Sequence, residues 1–200
     1  MLIGKIVSSS SHVEYLCQVY GTGEVETAPV PADYGFGTFV GIEESDGAEL
    51  IGVIYDTTLM NPEFGSLGPR LSPQEDLAVF SPDYLSERVT LVGVVALGAM
   101  GPDGAVHQGV PAVATTIDAR VRCLDPDEIR AFHRVGGGGR PGSGLRLAYL
   151  PMLTGMRSPL TPYLMLDVIA RLMRLFPEEA PRLAILSDNL AWKARVEPVG

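Results

Sequence analysis

Apolar and polar residues alternate near the start of the chain with the period of a β-strand. Leu2–Val7 is rich in β-branched residues. In the next run Val13, Tyr15, Cys17 and Val19 share one face, and Glu14, Leu16, Gln18 and Tyr20 share the other. The serines from Ser8 to Ser11 can satisfy their own backbone groups, so they predict the bend between these strands. Thr38–Ile42 and Glu49–Asp56 form a second pair. Asp46-Gly47 between them is a hairpin signal that sets the two strands antiparallel. Gly4 and Gly52 stand where a sheet would bend sharply. Short strands of this kind fit a small closed β-barrel with Val13, Tyr15, Cys17 and Val19 facing its interior.

The strongest strand is Arg88–Leu97, which is apolar on both faces. A barrel strand buried on its inner face alone would alternate. Its outer face is therefore expected to be covered, by the C-terminal half or by another protein. Gly98 and Gly101–Gly104 make a turn, with short strands expected at Val106–Val110 and Ala119–Leu124. The stretch 57–87 is long and broken by prolines. It reads as a lid, as a partner-binding surface, or as a loop holding one short helix that starts at Pro73.

Helical signals follow. Asp125-Pro126-Asp127-Glu128 is a capping box with proline at the first helical position, so a short helix should run to His133. Gly136–Gly144 is a flexible linker and the clearest seam in the chain. Leu145–Leu153 reads as extended. Met165, Val168, Ile169, Leu172, Met173 and Phe176 form one broad face, which predicts the best helix, opened by Thr161-Pro162 and ended by Pro177. Leu183–Leu186 is apolar but too short to separate helix from strand. Ser187–Gly200 is a tail that Leu190 and Trp192 could pin. The fold class is α+β: a barrel domain over 1–124 with the long loop 57–87, a short helix and Gly-rich linker over 125–144, and a helical extension over 145–200.

Composition agrees with short elements and many turns: 23 glycines and 16 prolines sit in a chain that is 46% hydrophobic. Charge is unevenly placed. Residues 1–100 hold fourteen acidic and three basic side chains, a net of −11; residues 101–200 hold ten and twelve, a net of +2. The acidic front half should repel phosphate backbones. The basic back half is too dilute for a nucleic-acid stripe, and it could face the acidic half within one chain or between copies. Cys17 and Cys123 read as free thiols. No signal-peptide pattern and no apolar run of membrane-spanning length is present, so a cytoplasmic protein is expected.

The candidate chemistry is sparse. His12, His107 and His133 have no cysteine or carboxylate at metal-ligand spacing. The glycines at 136–144 lack the lysine and serine or threonine of a nucleotide-hydrolase loop. Glu43, Glu44, Asp46 and Glu49 mark a solvated hairpin. No catalytic residue, cofactor or metal is expected. The leading expectation is a non-catalytic module that binds a protein partner or itself. Its anchors would be Tyr55, Phe64, Phe80 and Tyr84 around the long loop, with Val92 and Val94 on the doubly apolar strand. Two other readings are an enzyme using His12, Glu14 or Asp56 at the barrel mouth, and a nucleic-acid binder using Arg120, Arg122, Arg130, Arg134 and Arg140.

The runs Ile3-Gly4-Lys5-Ile6-Val7-Ser8, Ser10-Ser11-His12-Val13-Glu14-Tyr15, Gly37-Thr38-Phe39-Val40 and Leu50-Ile51-Gly52-Val53-Ile54-Tyr55 together resemble the HAS-barrel. That is the amino-terminal barrel of HerA-type DNA-translocating ATPases and of ATP synthase ring subunits. The resemblance covers about the first hundred residues. It implies a non-catalytic collar that helps a ring assemble and, in the HerA type, is associated with docking a nuclease. Residues 101–200 lack the Walker lysine and are too short for the motor domain. The resemblance therefore implies a docking or assembly piece without the ATPase core, and it carries no catalytic residue onto this chain.

Overall fold

The computed structural model of the chain describes residues 1–60, 89–134 and 144–196. Among these residues there are seven strands: β1 (Leu2–Ser9), β2 (Glu14–Val19), β3 (Phe39–Glu43), β4 (Glu49–Met60), β5 (Val89–Met100), β6 (Val106–Gln108) and β7 (Arg120–Cys123). The helices are α1 (Pro126–His133), α2 (Leu150–Thr154), α3 (Thr161–Leu175) and α4 (Ala180–Val196). The sheet order is β2-β1-β7-β3-β4-β5-β6, and an added β2–β5 pairing closes six of the strands into a barrel. Every pairing between these strands is antiparallel.

β5 holds the closure together. One edge pairs with β4 along its whole length. The other is shared, with Leu91–Val95 on β2 and Gly98–Met100 on β6. Bulges in the β4–β5 ladder, at Ile51/Gly52 and Ile54/Asp56, provide the bending that closing a short sheet requires. Gly98 is necessary here, because a Cβ there would run into the His107 carbonyl and the Gln108 backbone.

The strand period sorts the apolar residues into two cores. Ile3, Ile6, Cys17, Ile42, Val94 and Val121 are among those filling the barrel. Tyr15, Cys17 and Val19 are buried in it, as their alternation predicts, with Val13 packed at its margin. The second core lies outside the barrel wall. There Phe39, Ile51, Val53, Val95 and Leu97 meet Leu164, Val168, Ile169 and Leu172 of α3. The apolar outer face of β5 is thus covered by the chain's own helices. This core also takes in Phe132 of α1 and Tyr149, so it spans both sides of the glycine-rich stretch.

Several local readings change. β4 runs on to Met60, because Thr57 and Thr58 pair with Val92 and Leu91 although their polarity hides a strand pattern. Leu145–Leu153 is not extended: only Leu145 bridges, to Arg134, and Leu150 opens the short helix α2. The tail from Ser187 is helical through Val196, because Leu183, Leu186 and Leu190 form one stripe against the helical core. Trp192 is 67% exposed and pins nothing. The capping box is present as read: Asp125 Oδ1 accepts from the Asp127 and Glu128 amides at 2.8 and 2.9 Å, and Glu128 accepts from the Asp125 amide at 2.8 Å.

Candidate functional site

The barrel end at which β1 finishes carries the most unusual surface. β1–β2 turns there through Ser10–Val13, β3–β4 through Glu44–Ala48, and β5–β6 through Gly101–Ala105. Residues 109–119, between β6 and β7, are strapped across this end. His12 donates from Nε2 to the Pro111 carbonyl at 2.9 Å. Tyr15 donates its hydroxyl proton to the His12 carbonyl at 2.6 Å and accepts from the Thr115 amide at 3.4 Å. The amides of Asp118 and Ile6 bond across to Ile6 and Ala119 carbonyls at 2.9 Å. Pro111 of the strap is buried, and Ala114 packs on the barrel core. On the solvent side of the same strap stand Val110, Val113 and Ile117, exposed by 55, 71 and 60%.

Polar groups gather around Tyr15. Burial pushes the Tyr15 hydroxyl above its ordinary pKa; the Thr115 amide opposes this, and the negative charge of nearby Glu44 adds to it. Glu44 Oε1 and Thr115 Oγ1 are both buried and take no hydrogen bond among the described residues. Such atoms are uncommon in folded proteins, because an unpaired buried oxygen loses its water without replacement. This arrangement can receive hydrogen-bond donors.

Several charges elsewhere are paired. Arg122 on β7 reaches across Gly41, where a Cβ would overlap the carboxylate of Glu49. Its Nε and Nη2 donate to Glu49 at 2.7 Å each, and Nη1 and Nη2 donate to Glu128 at 3.0 and 2.7 Å. The same guanidinium holds the Glu128 carboxyl below its usual range. Burial raises Glu49, against the pull of Arg122. Two short bonds to a permanently charged group keep Glu49 ionised at neutral pH, so that burial is the cost of seating the charge. Arg120 pairs with Glu43 at 2.8 Å, Arg130 with Asp127 at 2.7 Å and Lys5 with Asp118 at 3.2 Å. Arg120 and Arg122 of the back half thus meet Glu43 and Glu49 of the front half.

The anchors expected from sequence are placed as follows. Val92 and Val94 lie fully buried inside the barrel, so they offer nothing to a partner; on β5 the outward residues are Gly93, Val95 and Leu97. Tyr55 is half-buried on the outer wall, its ring against Gly93. Phe64, Phe80 and Tyr84 lie outside the described residues, as does Arg140. His12, Glu14 and Asp56 are not joined. His12 bonds Pro111, Glu14 accepts from the Ser10 hydroxyl at 3.2 Å, and Asp56 accepts from the Thr57 amide at 2.8 Å. Cys17 is a buried thiol pushed up to about 12, and half-buried Cys123 is also raised by burial; both are free.

One polar cluster escaped the sequence reading altogether. His133 is fully buried between Phe39, Phe132, Tyr149 and Phe176. Its Nδ1 lies 2.7 Å from the Ile129 carbonyl, so that nitrogen carries the proton, and Nε2 accepts from the Tyr149 hydroxyl at 2.8 Å. Gln108 is buried beside it and makes three bonds, to the Phe132 and Arg146 carbonyls and from the Ala148 amide, at 2.9, 3.0 and 2.8 Å. Every polar atom named here is satisfied, which marks a structural pin between β6, α1 and the segment before α2. The signal missed for the exposed surface was Val110, Val113 and Ile117 recurring in a stretch with no strand pattern.

Among the described residues no group of three or more His, Cys, Asp or Glu is arranged to hold a metal, and no helix is long and apolar enough to cross a membrane. The model of one protein family matches residues 1–199, and the chain belongs to that family, described as a domain of unknown function (DUF8166). No curated protein matches the chain.

Proposed function

We propose that this family member is a non-catalytic protein-binding or assembly module. The observation that carries the reading is the strap at residues 109–119, which buries Pro111, packs Ala114 on the barrel core and turns Val110, Val113 and Ile117 to solvent. Apolar side chains held outward on a well-tied loop cost solubility and gain nothing within the chain, which is the signature of a contact surface. Pairing of the strap-end and α1 arginines with carboxylates argues against a phosphate-binding role for them.

The finer reading follows the likeness to the HAS-barrel. A small closed barrel is what that likeness implies, and a DNA-processing ATPase–nuclease assembly is the partner class to test first. Affinity capture of the tagged chain from its own host at low salt, with light scattering of the purified protein, is the experiment. A nuclease or ATPase recovered in near-equal amount supports the finer reading, and a defined oligomer supports the coarser one. A chain that captures nothing and stays monomeric at every concentration overturns both.

A further inference from the structure

We infer that the strapped barrel end receives a basic, apolar-flanked segment of a partner protein. A lysine or arginine side chain is directed at Glu44 and Thr115, and its apolar neighbours lie on Val110, Val113 and Ile117. This rests on the assembly reading above and gives that partner its chemistry.

Two independent features converge on one place. The first is the apolar trio on the outer side of the strap. The second is a pair of buried oxygens near Tyr15, Glu44 Oε1 and Thr115 Oγ1, which take no hydrogen bond among the described residues; the Thr115 amide bonds the Tyr15 hydroxyl, and the Glu44 charge acts on it. The Tyr15 and His12 donors are already committed, and the Thr115 hydroxyl reaches no acceptor among the described residues. The Tyr15 hydroxyl gives its proton to the His12 carbonyl, and the Thr115 amide gives its own to Tyr15. His12 is spent on Pro111. A ligand that satisfies Glu44 must therefore bring protons. An ammonium or guanidinium brings several together with the matching charge, and the Thr115 hydroxyl can accept from the same group.

The rim selects for the same sign. Asp46 and Asp103 sit on the neighbouring tips of the β3–β4 and β5–β6 hairpins, where Pro102 lies beside Gly47. Both are exposed, and the bonds they accept come from local amides at 3.0 Å. The basic residues on this rim, Lys5 and Arg120, are each held by a carboxylate, Asp118 and Glu43. The field facing a partner is accordingly negative, which speeds association with a basic segment and repels an acidic peptide or a phosphate backbone.

The test is selection of random peptides displayed on phage against the immobilised full chain, followed by fluorescence polarisation of the peptides recovered. The expected peptides carry lysine or arginine between apolar residues and weaken as salt rises. Val113→Asp and Ile117→Asp should each weaken them by about ten-fold or more, and the isosteric Glu44→Gln by about five-fold. Leu59→Asp, at the opposite end of the barrel, should leave binding unchanged. The substituted valine and isoleucine are exposed, and an unchanged melting curve shows that each variant folds. Acidic or purely apolar peptides, no enrichment, or binding that survives both Val113→Asp and Glu44→Gln would overturn the inference. A partner captured from the host whose binding ignores these variants overturns the site and leaves the assembly reading standing. A chain that is monomeric and captures nothing overturns the assembly reading instead.

Discussion

Replacing Tyr149 by phenylalanine isolates the value of the buried His133 pair. Nδ1–H of His133 is given to the Ile129 carbonyl at 2.7 Å, so Nε2 has only a lone pair to offer, and the Tyr149 hydroxyl fills it at 2.8 Å. Both residues are fully buried, and water cannot substitute for the lost proton. The substitution removes one oxygen and leaves the ring, so packing changes little and the orphaned nitrogen dominates. A buried unsatisfied acceptor costs about 1–3 kcal/mol. Denaturant unfolding should show that loss with an unchanged slope, whereas Tyr163→Phe on the exposed face of α3 should stay within about 0.5 kcal/mol. A loss below about 0.5 kcal/mol for Tyr149→Phe would refute the argument. The pH dependence has a definite sign. Burial lowers His133 to about 4, so it is neutral in the folded chain, while the unfolded chain takes up its proton near 6.5. Between those values the unfolded state binds more protons. Stability from this group is full above pH 6.5 and falls as pH drops towards 4, by roughly 3 kcal/mol in all. The His133 ring resonances should accordingly stay fixed from about pH 8 to about pH 5 in a histidine-directed NMR titration; a midpoint near 6.5 would contradict the burial.

Two further outcomes follow from the barrel wall. Arg122→Ala should destabilise by about 1–3 kcal/mol, because it leaves the largely buried Glu49 carboxylate unpaired, and pairing it with Glu49→Gln should recover part of that loss in a double-mutant cycle; additive losses would show that the two do not interact. Gly98→Ala should cost about 2 kcal/mol or more and speed amide exchange of Val106–Gln108 first, since the new methyl must displace the His107–Gln108 backbone; uniform exchange protection in that variant would show that β6 does not depend on Gly98.

Much of the local structure was legible in the sequence. Period-two alternation placed Tyr15, Cys17 and Val19 inside, Asp46-Gly47 gave the β3–β4 hairpin, and the Asp125–Glu128 box began α1. These signals are encoded within a few residues, where turn chemistry, capping and side-chain period act. The interface expectation at Val92 and Val94 failed on a question that local pattern leaves open. A strand apolar on both sides shows that both faces are covered, but it does not show which residues face which layer. Leu145–Leu153 and Ser187–Val196 were misread because their apolar stripes are short or interrupted by polar residues.

The tertiary structure alone decided which strands are neighbours. β7 enters between β1 and β3, and β2 meets β5, through contacts far apart in sequence that are paid for by closure of the sheet and by the two cores it creates. Only that closure brings Glu44, Tyr15 and Thr115 to one end, and the helical core outside the barrel sets His133 beside Tyr149. The sequence by itself determined most of the elements and the inward face of β2, because these depend on backbone geometry over a few residues. Partners across the barrel, satisfied or orphaned, depend on register and closure, which no local period records.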